Sequence, residues 1–216
     1  DLGFPYQAVA GIKSYNGVAI LSKYELLNTK VQNWCKKEDA RHISSTVNFP
    51  DMGKVEIHNL YVPAGGDLPD TRKNEKFAHK LSFLNELSKW QKTQSENSTK
   101  KILLGDLNIA PLESDVWSHK QLMNVVSHTE IEILALRDLQ NAGPWIDAVR
   151  ELIPKDEKLF SWWSYRSRDW EKNNRGRRLD HIWVTENLKN NIEKIQLLKE
   201  ARNWEKPSDH VPLIAT

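Results

Sequence analysis

The stretch Lys100-Lys-Ile-Leu-Leu-Gly-Asp-Leu-Asn-Ile-Ala-Pro111 decides how this chain is read. Ile102, Leu103 and Leu104 follow two lysines and run into Gly105, the pattern of a short buried strand that starts apolar and ends polar. Asp106 and Asn108 are spaced i, i+2, which on extended backbone turns both side chains to one face and Leu107 and Ile109 to the other. An acid and an amide then stand side by side at the mouth of a strand. The same pair ahead of Pro111 equally suits a plain turn. Three further stretches carry polar chemistry of the same kind, Asn59-Leu-Tyr-Val-Pro63, Arg178-Leu-Asp-His-Ile182 and Lys206-Pro-Ser-Asp-His210.

With 216 residues and no Pro/Gly/Ser-rich divide, the chain is expected to form one domain over residues 1–216. No apolar run approaches the ~18 residues of a membrane span. Cys35, the one cysteine, has no internal partner, and the N-terminus lacks a signal-peptide core, which fits a reducing cytoplasm. A net charge of only +2 means that any nucleic-acid contact must come from a local basic surface. Residues 160–178 supply one. There Arg166, Arg168, Lys172, Arg175, Arg177 and Arg178 face only Asp169 and Glu171, and are interleaved with Trp162, Trp163, Tyr165 and Trp170. Arginines would take phosphates and a ring would lie against sugar or base. A solvated charged loop over core tryptophans is the competing reading of the same letters. The polar run 91–101 reads as a surface loop, and Asn97-Ser-Thr99 as a chance glycosylation match.

The first strand is expected at 18–22, after an Asn16-Gly17 turn. What precedes it reads as loop, so the chain is expected to be a fragment. Residues 23–42 read as a surface excursion, and 43–49 and 54–62 as an antiparallel hairpin. Phe77, Leu81, Leu84, Leu87 and Trp90 fall at helical spacing. Two shorter helices are expected at 131–139 and 145–153, and strands at 159–165, 179–185, 192–198 and 211–215. Many hairpin-linked strands with few helices predict an α+β fold, a two-sheet β-sandwich flanked by helices in four αββα layers. Strand ends in such a sandwich gather along one rim, where the polar stretches can meet.

The segments GDLNIAP at 105–111, LYVPAGG at 60–66, FSWWSYRS at 160–167, NNRGRRLDHI at 173–182 and EKPSDHVPL at 205–213 resemble the bacterial exonuclease III family of apurinic/apyrimidinic endonucleases. That family belongs to the endonuclease/exonuclease/phosphatase superfamily. The resemblance runs in the family's order from about Tyr15 to the last residue. It implies a nuclease that cleaves 5′ to abasic sites in double-stranded DNA, with action at 3′ ends, and that uses Mg²⁺ or Mn²⁺. It assigns water activation to Asp106, its orientation to Asn108, support of the phosphate to Tyr61, and a phosphate-facing histidine to His210, paired with Asp180. Asp209, with Asp106, Asn108 and His210, is implied in the metal site. Trp162 and Leu179 are implied as walls of the pocket for the extruded sugar, which has lost its stacking and is cheaper to flip out.

Hydrolysing a phosphodiester needs an activated water, donors for charge on the non-bridging oxygens and stabilisation of the leaving oxygen, which explains these residue types. The resemblance also implies an N-terminal strand with an asparagine and a second ending in a metal-binding glutamate, neither present here. Weaker metal binding and a gap in the sheet are expected. Arg177 stands where relatives often carry an apolar pocket residue, and Ala64 where a side-chain amide is common. The alternatives are an inactive DNA-binding remnant and a phosphoesterase on a non-DNA substrate, such as a phospholipid or inositol phosphate. A monomer is expected.

Overall fold

The structure is a computed structural model that describes residues 3–94, 99–167 and 169–216. Arg168, the centre of the polar run 91–101 and the glycosylation acceptor Asn97 lie outside the described residues. The strands are β1 (Tyr6–Ile12), β2 (Asn16–Ser22), β3 (Leu26–Val31), β4 (His42–Phe49), β5 (Gly53–Tyr61), β6 (Lys100–Asp106), β7 (Trp145–Asp147), β8 (Trp162–Trp163), β9 (Gly176–Arg177), β10 (Asp180–Thr185), β11 (Ile195–Leu197) and β12 (Leu213–Ala215). The helices are α1 (Glu75–Thr93), α2 (His119–Leu122), α3 (Glu130–Ala142), α4 (Ala148–Leu152) and α5 (Trp170–Asn173).

Six strands form a central mixed sheet in the order β3-β4-β5-β6-β10-β7, in which only β5 and β6 run parallel. The α+β class therefore holds. Where a second extended sheet was expected, the described residues hold three two-stranded ladders, β1-β2, β8-β9 and β11-β12. Alternation along β5 sends Leu60 into the cluster that α1 and α3 form with Phe83, Leu84, Leu87 and Leu136. Ile57 and Tyr61 point the other way, to Ala8, Val18 and Ile20 of the β1-β2 hairpin. Asn74 caps α1 by accepting from the backbone N–H groups of Lys76 and Phe77, and Thr129 with Glu132 forms a capping box on α3.

Two of the longer strands, β1 and β3, contradict the sequence reading, and the short β9 was not expected either. β1 is a full partner of β2, from Tyr6 opposite Ser22 to Ile12 opposite Asn16. It reads as loop because only Ala8 is buried along it, so it lacks apolar alternation. β3 occupies the sheet edge, half solvated, where no hydrophobic face is required. The expected helix at 145–153 divides at Asp147, which ends β7 and caps α4 through the N–H groups of Val149 and Arg150.

Register delivers the chemistry to one level. Tyr61 of β5 pairs with Asp106 of β6, and Asp106 with Asp180 of β10, so three adjacent strands place their polar residues in a row. The row requires Gly105. Its φ is +129°, and a Cβ there would lie 2.0 Å from the carbonyl oxygen of Leu60.

Candidate active site

β6 ends at Asp106, and Asn108 takes the left-handed conformation (φ 54°). The extended reading of the i, i+2 pair fails here, because a turn folds Asn108 back onto Asp106. Asn108 N donates to Asp106 Oδ1 at 2.9 Å, and its Nδ2 donates to Asp106 Oδ2 at 2.9 Å and to the Val62 carbonyl at 2.9 Å. Turn and juxtaposition are the same feature. Leu107 and Ile109 are fully buried and anchor it. Beneath, buried Lys80 donates to the carbonyls of Asn108 (2.8 Å) and Ala64 (3.3 Å) while paired with Glu132.

On β10, Asp180 Oδ2 accepts from Ser161 Oγ at 2.6 Å, and Ser161 Oγ in turn accepts from the N–H groups of Leu179 and Asp180, each at 3.1 Å. His210 Nδ1 lies 2.8 Å from the same Oδ2, and its Nε2 lies 3.9 Å from Asp106 Oδ2. The imidazole thus spans two carboxylates. Burial acts to lower the His210 pKa, but the hydrogen bond to Asp180 and the charges of Asp180, Asp106 and Asp209 outweigh it and push the pKa up to about 9. Asp106 is pushed up to about 7 by burial and then by the charge of Asp180, with His210 opposing.

Asp106, Asp180 and His210 each offer a ligand atom, all within 4.8 Å of one another, and form the one such cluster among the described residues. Two carboxylates short of positive charge suit a divalent cation that takes oxygen ligands. This ligand set differs from the one implied by resemblance. Asp209 Oδ2 accepts from Trp162 Nε1 at 2.9 Å, and Asn108 turns its amide nitrogen towards Asp106, whereas Asp180 joins the cluster. Tyr61 adjoins it with its ring under the Arg41 guanidinium, 4.8 Å from the ring centroid. Burial and then the charge of Asp106 raise its phenol pKa.

Beside this cluster opens a cleft of about 1070 Å³ whose walls include Asp106, Asn108, His210, Trp162 and Leu179. Arg166 and Arg175 are exposed at its margin, and the Arg175 guanidinium lies 4.7 Å over the Trp117 ring. Arg177 is half-buried against Trp162. Arg178 departs from its expected role as a DNA contact. It is 1% exposed and spends its donors inside the protein, from Nε and Nη2 to Asp115 (2.8 and 3.0 Å) and from Nη1 to Asp147 (2.8 Å). A basic run in sequence does not tell outward from inward arginines, and its register on β9–β10 turned this one in. Ser161, Arg41 and Trp117 were missed. Ser161 lies within a motif quoted for its tryptophans, and nothing near Arg41 or Trp117 marks either.

Arg178→Ala should destabilise the fold by about 3–5 kcal/mol, as expected when a buried acid loses its partner. Urea unfolding measures this, and an unchanged midpoint would return Arg178 to the surface. In metal-free protein the His210 ring should titrate near 9 rather than at its ordinary 6.5. With the folded pKa above the unfolded one, this stabilisation is complete below pH 6.5 and is lost as pH rises through 9. NMR of the ring measures the pKa. Asp180→Asn should lower it, and no change would remove Asp180 as its partner.

The chain is similar to known proteins in both sequence and fold. Exodeoxyribonuclease III of Haemophilus influenzae is 29% identical over 232 residues, covering 100% of this chain and 85% of that protein. An AP endonuclease structure from Archaeoglobus fulgidus superposes with a TM-score of 0.87 at 29% identity, over 99% of this chain and 79% of that one. A 3′-5′ exonuclease structure from Neisseria meningitidis gives a TM-score of 0.85 at 26% identity, over 97% and 78%. The family described as the Endonuclease/Exonuclease/phosphatase family matches residues 2–210, and with nearly the whole chain matched, the protein belongs to that family.

Proposed function

We propose that this chain is a DNA-repair nuclease that hydrolyses the phosphodiester 5′ to abasic sites and acts on 3′ ends, in double-stranded DNA. The observation that carries the reading is the Asp106–His210–Asp180 constellation at the rim of a cleft with aromatic walls and an arginine margin. The relatives named as an exodeoxyribonuclease and an AP endonuclease supply the substrate class.

Asp106 is the group that orients the attacking water and takes its proton, and the two Asn108 hydrogen bonds fix the carboxylate for that task. His210, charged and held by Asp180, presents Nε2 to a non-bridging phosphate oxygen. Tyr61 adds its hydroxyl on the adjacent strand. Asp106 and Asp180 would hold the cation, with Asp209 and the Asn108 oxygen as further donors, while the charged His210 stays beside it as a donor to the phosphate. Mg²⁺ or Mn²⁺ bound there supplies charge stabilisation for the phosphate and the leaving 3′-oxygen. Arg166 and Arg175 take backbone phosphates, and Trp162 and Leu179 wall the sugar pocket.

We further read residues 1–216 as one monomeric domain, with the three two-stranded ladders as parts of the second sheet of a four-layer sandwich. Bridges from Trp162 to His210 and from Val116 to Arg177 support that continuity. Among the described residues no helix is long and apolar enough to cross a membrane. The lone Cys35 supports a cytoplasmic location.

A duplex with one tetrahydrofuran abasic analogue should be incised on its 5′ side in Mg²⁺ and left intact in EDTA. Asp106→Asn should cut the rate by about a thousandfold with the duplex still bound. Equal loss of cleavage and binding would contradict the role of Asp106, and cleavage in EDTA the role of the cation.

A further inference from the structure

Arg177 sits where the nuclease reading calls for a wall of the sugar pocket, and its geometry is unusual for a phosphate contact. On β9 it pairs with Trp162 of β8, and Trp162 is bridged in turn to His210. Two strand spacings put its backbone about 10 Å from that of His210, along the row that a nucleotide extruded from the duplex would follow. The side chain runs across the cleft instead of out to solvent. Its guanidinium lies 5.3 Å from the centroid of the Trp162 ring, and Nη1 donates to the Val126 carbonyl at 2.9 Å and to Ser127 Oγ at 2.7 Å.

We infer that Arg177 is a bar across the pocket that admits a sugar without a base and excludes an intact nucleoside. The inference rests on the nuclease reading above and narrows its substrate. Tethered on one side to the Trp162 wall and on the other to the Val126–Ser127 segment, the guanidinium occupies the span between them. Leu122 and Val125 line the same cleft and provide the apolar surface on which a heterocycle would pack. Reaching it means displacing Arg177, which surrenders two charge-assisted hydrogen bonds and a cation–π contact. An abasic sugar has no ring to place there and leaves the tether intact. Selectivity then has two sources, the low cost of unstacking an abasic site and a pocket too short for a base.

The test compares two substrates on one enzyme, incision of the tetrahydrofuran duplex and removal of intact nucleotides from a recessed, matched 3′ end. Arg177→Leu should raise the ratio of kcat/KM for nucleotide removal to that for incision by about tenfold or more, the scale on which pocket shape discriminates. Arg177→Lys, which keeps the charge without the fork, should shift the ratio in the same direction. Ser127→Ala, which loosens one anchor and leaves the arginine in place, should give a smaller shift. A purine at the 3′ end should gain more than a pyrimidine. An enzyme that cleaves both substrates with a ratio unmoved in Arg177→Leu and Ser127→Ala would overturn the bar alone. A wild-type protein that cleaves neither would overturn the nuclease reading, and the bar with it.

Discussion

Two carboxylates face each other across neighbouring strands, and much of the site can be understood as the means of keeping them there. Asp106 and Asp180 are direct partners in the β6–β10 ladder, a position at which Cβ atoms lie about 4.5–5.5 Å apart and like charges repel. Partly shielded from water, the pair can be doubly ionised only with positive charge between its members. His210 supplies some, which is why its ring holds a proton to about pH 9 while Asp106 resists losing its own until about 7. The remaining deficit suits a divalent cation. In the function proposed above, the same repulsion that costs stability would be the source of metal affinity.

Buried polar networks hold this strained level in place from behind. Arg178 ties Asp115 and Asp147 together one residue before Leu179, and Arg150 closes on Asp115 from α4. The Arg178 and Arg150 charges overcome burial to keep the Asp115 carboxyl below its usual range. Lys80 and Glu132 form a second buried ion pair under the Asn108 turn, linking α1 to α3. Such pairs add little net stability over an apolar core, yet removing one partner is costly, so they fix one arrangement against its competitors. Here the fixed arrangement is the relative position of the β6 turn and the start of β10, on which the Asp106–Asp180 spacing depends.

The central strands and the main helices were legible because their residues obey a single period. β4, β5, β6 and β10 alternate or run apolar, and α1 carries its apolar stripe at helical spacing. The motif residues Tyr61, Asp106, Asn108, Asp180, Asp209 and His210 also meet around the cleft and its neighbour. What escaped notice lacked such a period. β1 and β3 bury too little to alternate, and Asn108 reached its place through a left-handed turn that extended geometry does not suggest. Arg178 shows the other limit, since letters give the charge of a side chain and only register gives its direction.

The claim at the centre is that the Asp106–Asp180 pair is a binding site for one divalent cation. Titrating Mn²⁺ into the protein while following the EPR signal of the free ion tests it directly. Saturable uptake of a single ion that is abolished in the Asp106→Asn, Asp180→Asn double variant, with the fold retained by circular dichroism, is the expected result. Uptake of the same ion with the same affinity by the double variant would contradict it.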